Sequence, residues 1–167
     1  MEFEVIRGDI ADQSADALVS AAGTSLRMGS GVAGALRRTG GEELNRAAMA
    51  KGPVDLGAIA VTDAFALDAD HVIHAAAMPH YGDGKATAES IRDATRNALA
   101  AADERGCASL VIPALGCGVA GFDLRDGAEV IGEEIRAFEP ESLRDVRFIA
   151  YSESEYEAVC ETVDADG

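Results

Sequence analysis

The glycines are where this sequence concentrates residues able to do chemistry. Gly116-Cys117-Gly118-Val119-Ala120-Gly121 follows an apolar run at 109–115 and leads into a helical pattern from Leu124. The same grammar stands near the N-terminus, where the apolar run 16–21 is followed, after a short loop, by Gly29-Ser30-Gly31-Val32-Ala33-Gly34. Backbone that turns tightly and approaches a ligand closely needs residues without Cβ. Between a strand and a helix, such a loop aims N–H groups outward at a helix N-terminus, a setting that suits an anion such as phosphate. The two loops are expected to form one phosphate-binding cleft. Other reactive side chains are few. Cys117 is either a nucleophile at a helix N-terminus, with a lowered pKa, or a small residue filling a Ser or Thr position. His80 and Asp83 lie in the loop after Pro79, either reaching the cleft rim or simply solvated. His74 falls in a strand and reads as a core histidine. No metal-ligand spacing appears, and no cofactor is expected.

The elements that must position these loops alternate. Residues 1–7 read as a strand with one wet face, and Gly8-Asp9-Ile10 turns out of it. Residues 17–21 are apolar in succession, as in a central strand covered on both faces. Residues 32–49 form two helical pieces parted by Gly40-Gly41. Strands follow at 58–65 and 71–77. Residues 85–105 make the clearest helix, with Gly106 just past its end. A buried strand is expected at 109–115, a helix at 124–138 with Asp123 as its N-cap, a last strand at 146–151 and a last helix at 154–163. Residues 164–167 should fray. This order implies an α/β domain with helices on both faces of a mostly parallel sheet. Ligands in such sheets sit beyond the carboxyl ends of the central strands, where both glycine loops emerge.

Length and composition bound the answer. The 167 residues favour a single domain, and 48% apolar content excludes a disordered polar chain. Neither a membrane-length apolar run nor a charged-then-apolar leader is evident, so a cytoplasmic protein without a membrane partner is expected. Thirty acids against fourteen bases give a net charge of −16, which argues against nucleic acid as a partner. Lys51 and Lys85 are the only lysines. This bias looks like that of halophilic archaeal proteins, in which concentrated salt screens the repulsion. The odd count of cysteines (Cys107, Cys117 and Cys160) without CxxC spacing excludes a disulfide framework.

A dinucleotide-binding Rossmann unit is the obvious competitor for a GxGxxG string. It requires the glycines after the first strand and an acid ending the second strand about 20 residues on. Counting from Gly34 reaches a loop at 51–54, and from Gly121 a segment at 139–141 that precedes a strand. A Walker A lysine is also absent, so both nucleotide-fold readings fail on context.

The ordered set of motifs resembles the macro domain, the ADP-ribose-binding module, over residues 3–160. Gly8-Asp9-Ile10 is similar to the family's G-D-I/L motif. Asp16-Ala17-Leu18-Val19-Ser20-Ala21-Ala22-Gly23 is similar to its D-A-I/V-V-N-A-A-N. Gly29-Ser30-Gly31-Val32 is similar to its GGGV loop. Gly57-Ala58-Ile59-Ala60-Val61-Thr62 is similar to its G-x-A-x-x-T, with Ile59 departing. His71-Val72-Ile73-His74 is similar to its V-I-H strand, and Pro113-Ala114-Leu115-Gly116-Cys117-Gly118 to its second phosphate loop.

The resemblance implies a three-layer α/β/α sandwich with a mixed, mostly parallel sheet, residues 1–167 forming one domain. It implies an ADP-ribose cleft with Asp9 accepting from the adenine amino group and Ile10 beside it. Ser20, Ala22 and Gly23 would lie at the end of the second strand, and Ser30, Gly31 and Val32 in the first loop. Gly116, Cys117, Gly118, Val119, Ala120 and Gly121 would make the second loop, with Tyr151 against adenine or in the core. The departures bear on catalysis. Family hydrolases often carry Asn at the positions of Ser20 and Gly23, Asp at that of Ala33 in one subgroup, and an aromatic at that of Ala120. In the subgroup that clears ADP-ribose from acidic side chains, the Lys and Asp positions fall near Leu36 or Arg37 and at Ala120 here. Two functions therefore stand: a module that binds ADP-ribose or an ADP-ribosylated protein or metabolite, and a slow hydrolase of ADP-ribose esters. Absence of the Asn and Asp side chains favours the first. Binding of another nucleotide or of RNA is a third reading, and the charge argues against RNA.

Overall fold

In the computed structural model, residues 1–80, 83–118 and 121–165 are described. The strands are β1 Glu2–Arg7, β2 Ala17–Gly23, β3 Ile59–Asp63, β4 His71–Met78, β5 Ser109–Ile112 and β6 Asp145–Ala150. The helices are α1 Gly31–Gly40, α2 Glu42–Ala50, α3 Ala88–Glu104, α4 Leu124–Ala137 and α5 Glu153–Ala165, with a 3-10 turn at Ile10–Asp12. The strands make one sheet in the order β1-β6-β5-β2-β4-β3. Every pairing is parallel except β3 with β4. The mixed, mostly parallel α/β architecture expected from the sequence is thus present.

The layers follow from side-chain alternation along strands buried on both faces. Leu18, Val72, Val111 and Ile149 gather with Leu36 of α1 and Leu44 of α2. Their chain neighbours Val19, Ile73, Ile112 and Phe148 gather with Ile91 and Leu99 of α3, Ile131 and Ile135 of α4, and Val159 of α5. Each strand therefore glues two helical layers, which is why the central strands show no polar alternation.

Several boundaries differ from the sequence expectation. Helix α3 starts at Ala88, because Thr87 caps it: Ser90 N–H donates to Thr87 Oγ1 (3.0 Å) and Thr87 N–H to Ser90 Oγ (2.9 Å). Ser90 Oγ also donates to Ala77 O at 2.6 Å and ties the helix to β4. Strand β5 stops at Ile112, since Pro113 has no N–H to continue the ladder. Strand β3 is confined to Ile59–Asp63, and Phe65 beyond it holds a φ of +52°. Tyr151 lies just past β6, not within it. Asp164 and Ala165 continue α5, while the rest of the tail expected to fray lies outside the described residues.

Candidate functional site

A cavity of about 710 Å³ opens over the carboxyl ends of the strands. The turn after β1, both glycine loops and the end of β6 meet there. Asp9, Ile10, Ser30, Gly31, Val32, Gly116, Cys117, Gly118 and Tyr151 all line it. Residues scattered over more than a hundred positions of sequence are brought together because parallel strands deliver all their C-terminal loops to one edge.

The first loop is held by its buried hydrophobic pegs. Leu26 and Met28 are almost fully buried. Leu26 takes a φ of +62° and donates its N–H to Gly23 O at 3.0 Å. Met28 N–H donates to Asn45 Oδ1 (2.9 Å), and Met28 O accepts from Arg37 Nη1 (3.0 Å). Arg37 is itself locked to Glu42, with Nη2–Oε2 at 2.7 Å. This scaffold presents the start of α1 to the cleft. Ser30 is the N-cap, yet its side chain makes no capping bond. Among the described residues, the N–H groups of Gly31, Val32 and Ala33 find no protein acceptor. A bare helix N-terminus collects orphan donors and the positive end of the helix dipole. Gly31 has a φ of +60° and open space where a Cβ would stand.

The second loop is built differently. Gly116, Gly118 and Gly121 all take φ between +74° and +78°. A Cβ on Gly116 would lie 2.7 Å from Ala86 Cβ and 2.9 Å from Ile91 Cγ1, so this glycine permits close packing on α3. Gly118 faces open space and lines the cavity. Two N–H groups of this loop are already engaged. Cys117 donates to Ala114 O (3.3 Å) and Gly121 to Gly118 O (2.9 Å). Gly121 does not line the cavity; a Cβ there would meet Lys85 Cδ at 3.2 Å. Helix α4 that follows is capped by its own side chain, Asp126 N–H donating to Asp123 Oδ2 at 3.0 Å.

Cys117 is a packed thiol. Its Sγ lies 3.6 Å from Leu115 O, and a Cβ on Gly127 would stand 2.5 Å from that sulfur. Burial, then the charges of Asp123 and Glu155, push its pKa up to about 11. The sequence alternative of an activated thiolate is overturned: the helix N-terminus that should have lowered the pKa is already satisfied by Asp123.

Asp9 caps the 3-10 turn, Ala11 N–H donating to its Oδ1 at 2.9 Å. It combines the turn role and the cleft position that the sequence left as alternatives. Tyr151 is 72% exposed, so it stands at the rim and not in the core.

Ser20, Ala22 and Gly23 do not line the cavity. Ser20 and Ala22 point to the α1–α2 side of β2, and it is Ala21, on the opposite face, that reaches the cleft. Gly23 is packed under the next strand's exit, its would-be Cβ 3.0 Å from Pro79 O. Ser20 is fully buried and its Oγ has no partner. It stands in register with His74, whose Nδ1 is likewise unpartnered. His74 Nε2 is 2.9 Å from Thr62 Oγ1, which donates to Asp63 O, so the imidazole carries its proton on Nε2. Burial and then the charge of Lys51 lower the His74 pKa to about 4. His80 donates its N–H to Thr24 Oγ1 (3.1 Å), and neither it nor Asp83 lines the cavity. Val119 and Ala120 lie outside the described residues.

The sequence reading missed Ala35, Arg38 and Glu155, which also line the cleft. Ala35 and Arg38 stand four and seven residues after Gly31 in α1, on the same helical face; that spacing was available in the sequence.

Among the described residues no helix is long and apolar enough to cross a membrane. An uncharacterized protein from Mycobacterium tuberculosis is 39% identical over 165 residues, covering 99% of this chain and 45% of that protein. The chain thus spans about half the length of the mycobacterial relatives it matches. The Oceanobacillus iheyensis macrodomain with ADP superposes with a TM-score of 0.87 at 25% identity, over 96% of this chain and 89% of that one. The Trypanosoma brucei macrodomain in complex with ADP-ribose gives 0.84 at 26% identity, over 98% and 68%. Residues 19–131 match the macro domain family. With the six-stranded mixed sheet and the crest cleft between its two glycine loops, the chain belongs to the macro domain family.

Proposed function

We propose that the cleft binds ADP-ribose, free or as the substituent of a modified protein or metabolite. The observation that carries this reading is the pair Gly31 and Gly118. Both lie in the left-handed region, both have open space on the Cβ side, and both line one cavity beside the bare N-terminus of α1. A diphosphate placed there would meet neutral N–H donors and a helix dipole, with no basic pocket needed. Asp9 keeps Oδ2 for a donor such as the adenine amino group, because only Oδ1 serves the turn. Tyr151 offers its ring beside it. The structural neighbours named with ADP and ADP-ribose support the same assignment.

Binding without turnover fits the side chains present. Asp9 and Glu155 are the only carboxylates among the described lining residues. Asp9 is tied into its turn, and Glu155 accepts from Ser152 Oγ at 2.8 Å at the start of α5. Cys117 is protonated at neutral pH. Among the described lining residues there is no histidine to act as a general base. Residues 1–167 then act as one ligand-binding unit, and the acid excess suits a cytoplasm of concentrated salt. Amide chemical-shift mapping with ADP-ribose checks the site: Asp9, Gly31, Gly118 and Tyr151 should move together. O-acetyl-ADP-ribose should remain intact in the same tube. Unmoved amides would remove the site assignment, and released acetate would remove the binder-only reading.

A further inference from the structure

Arg38 lines the cleft, and among the described residues it is the only cation that does. Its neighbour Arg37 is bound to Glu42 and to Met28 O. Arg38 makes no ion pair or hydrogen bond among the described residues. Its place of attachment and the place of its head group differ. Arg38 belongs to the last turn of α1, and helical side chains lean back toward the N-terminus. Its Nη1 is 3.4 Å from the point where a Cβ on Gly34 would stand, and Gly29 O is 3.3 Å from that same point. The guanidinium therefore lies at the junction of the first glycine loop with the start of α1. It is on the helical face that Gly31 and Ala35 also turn to the cleft. Gly34 carries no side chain, so the head group rests over bare backbone.

That placement runs against the helix dipole. A cation is favoured at the C-terminal end of a helix, where Arg38 is attached, and disfavoured at the N-terminal end, toward which it reaches. It shares that end with the N–H groups of Gly31, Val32 and Ala33, which find no protein acceptor. Donors, dipole and guanidinium are all positive, and among the described residues no carboxylate pairs with them. An anionic ligand seated there satisfies all three at once. The rest of the chain opposes such a ligand. Asp9 and Glu155 line the same cavity, and the net charge is −16. Neutral N–H groups can orient a diphosphate, but they bring no net charge against that repulsion. Arginine brings it, and its planar fork gives paired, charge-assisted hydrogen bonds to phosphate oxygens.

Resting on the ADP-ribose reading, we propose that Arg38 is a specificity-determining residue that contacts the diphosphate at the α1 N-terminus. It makes the cleft discriminate adenine nucleotides carrying a diphosphate from the uncharged nucleoside.

Titrations of ADP-ribose, ADP and adenosine into the wild-type chain, Arg38→Ala and Arg38→Lys test this, at low and at high potassium chloride. Calorimetry reads the nucleotides, and amide chemical shifts read the weaker nucleoside. At low salt Arg38→Ala should weaken ADP-ribose and ADP alike by about tenfold, the size expected of one charge-assisted contact. Adenosine should bind both chains equally. Arg38→Lys should keep part of the nucleotide affinity, since a point charge replaces the fork. High salt should narrow the gap between wild type and Arg38→Ala, because a charge contact is screened; a loss of packing alone would keep its size. Undiminished ADP-ribose affinity in Arg38→Ala, an equal loss for adenosine, or a gap that salt does not change overturns the proposal while the ADP-ribose reading stands. Failure of the wild type to bind ADP-ribose overturns that reading and the proposal with it. Circular dichroism checks that the variants are folded; Arg38 is exposed and makes no structural bond, so the fold should survive its removal.

Discussion

The two glycine loops look alike in sequence and are built on opposite principles. The first is a hydrogen-bonded loop delivering a bare helix end. Gly29 and Gly31 are open on the Cβ side, and the loop is located by Leu26, Met28, Asn45 and Arg37. The second is a steric loop. Gly116 lets it press against Ala86 and against Ile91 of α3, Gly127 of α4 leaves room for the Cys117 sulfur, and its helix end is closed by Asp123. A GxGxxG string therefore reports that a backbone is tight or approached closely, but not by what. In one loop the approach is reserved for a ligand; in the other much of it is used by the protein itself.

The difference is sharpened first by volume. Gly116→Ala puts a Cβ into Ala86 and Ile91 at a left-handed φ. It should cost about 2–4 kcal/mol from overpacking and backbone strain together, read as a fall in the denaturant midpoint. Gly31→Ala meets nothing within 4 Å and should cost only the strain, about 1 kcal/mol. Equal losses would erase the contrast between a packed and an open glycine.

The floor beneath the first loop is sensitive to acid. His74 has a folded pKa of about 4 against an ordinary 6.5. Between those values the unfolded chain binds a proton that the folded chain refuses. Stability is therefore full above pH 6.5 and falls as pH drops toward 4, by up to about 3 kcal/mol from this one group. Urea melts across that window should show the slope, and His74→Gln should flatten it. A variant whose pH profile matches the wild type would show that the orphaned His74–Ser20 pair carries no such load.

The smallest contrast lies at the caps. Asp123→Ala removes a bonded N-cap and should destabilise by about 1 kcal/mol. Ser30→Ala removes a side chain that caps nothing and should change stability by less than about 0.5 kcal/mol. If Ser30→Ala proved the costlier, the start of α1 would not be bare.

The layered α/β order, the two-piece helix before β3 and the meeting of both loops could be read from apolar runs and glycine positions, because buried parallel strands and left-handed turns impose those residue types. Facing was harder to read. Ser20, Ala21 and Ala22 sit in a strand buried on both sides, so no polar alternation tells which one reaches the cleft. Arg38 reaches the cleft from further along α1, where no glycine marks the site in the sequence. The free or engaged state of a backbone N–H, as at Cys117 and Gly121, depends on turns closed by residues on either side, and residue type does not record it. The Cys117 thiol shows the same limit: a helix start nearby is legible, its prior occupation by Asp123 is not.

Calorimetric titration of ADP-ribose at low and at high potassium chloride tests the central claim most directly. A cleft that holds the diphosphate by neutral N–H donors should bind one ligand per chain, and salt should leave the affinity unchanged or raise it, because screening relieves repulsion from the acidic surface. Absence of binding at either salt, or an affinity that collapses as salt rises, would contradict it.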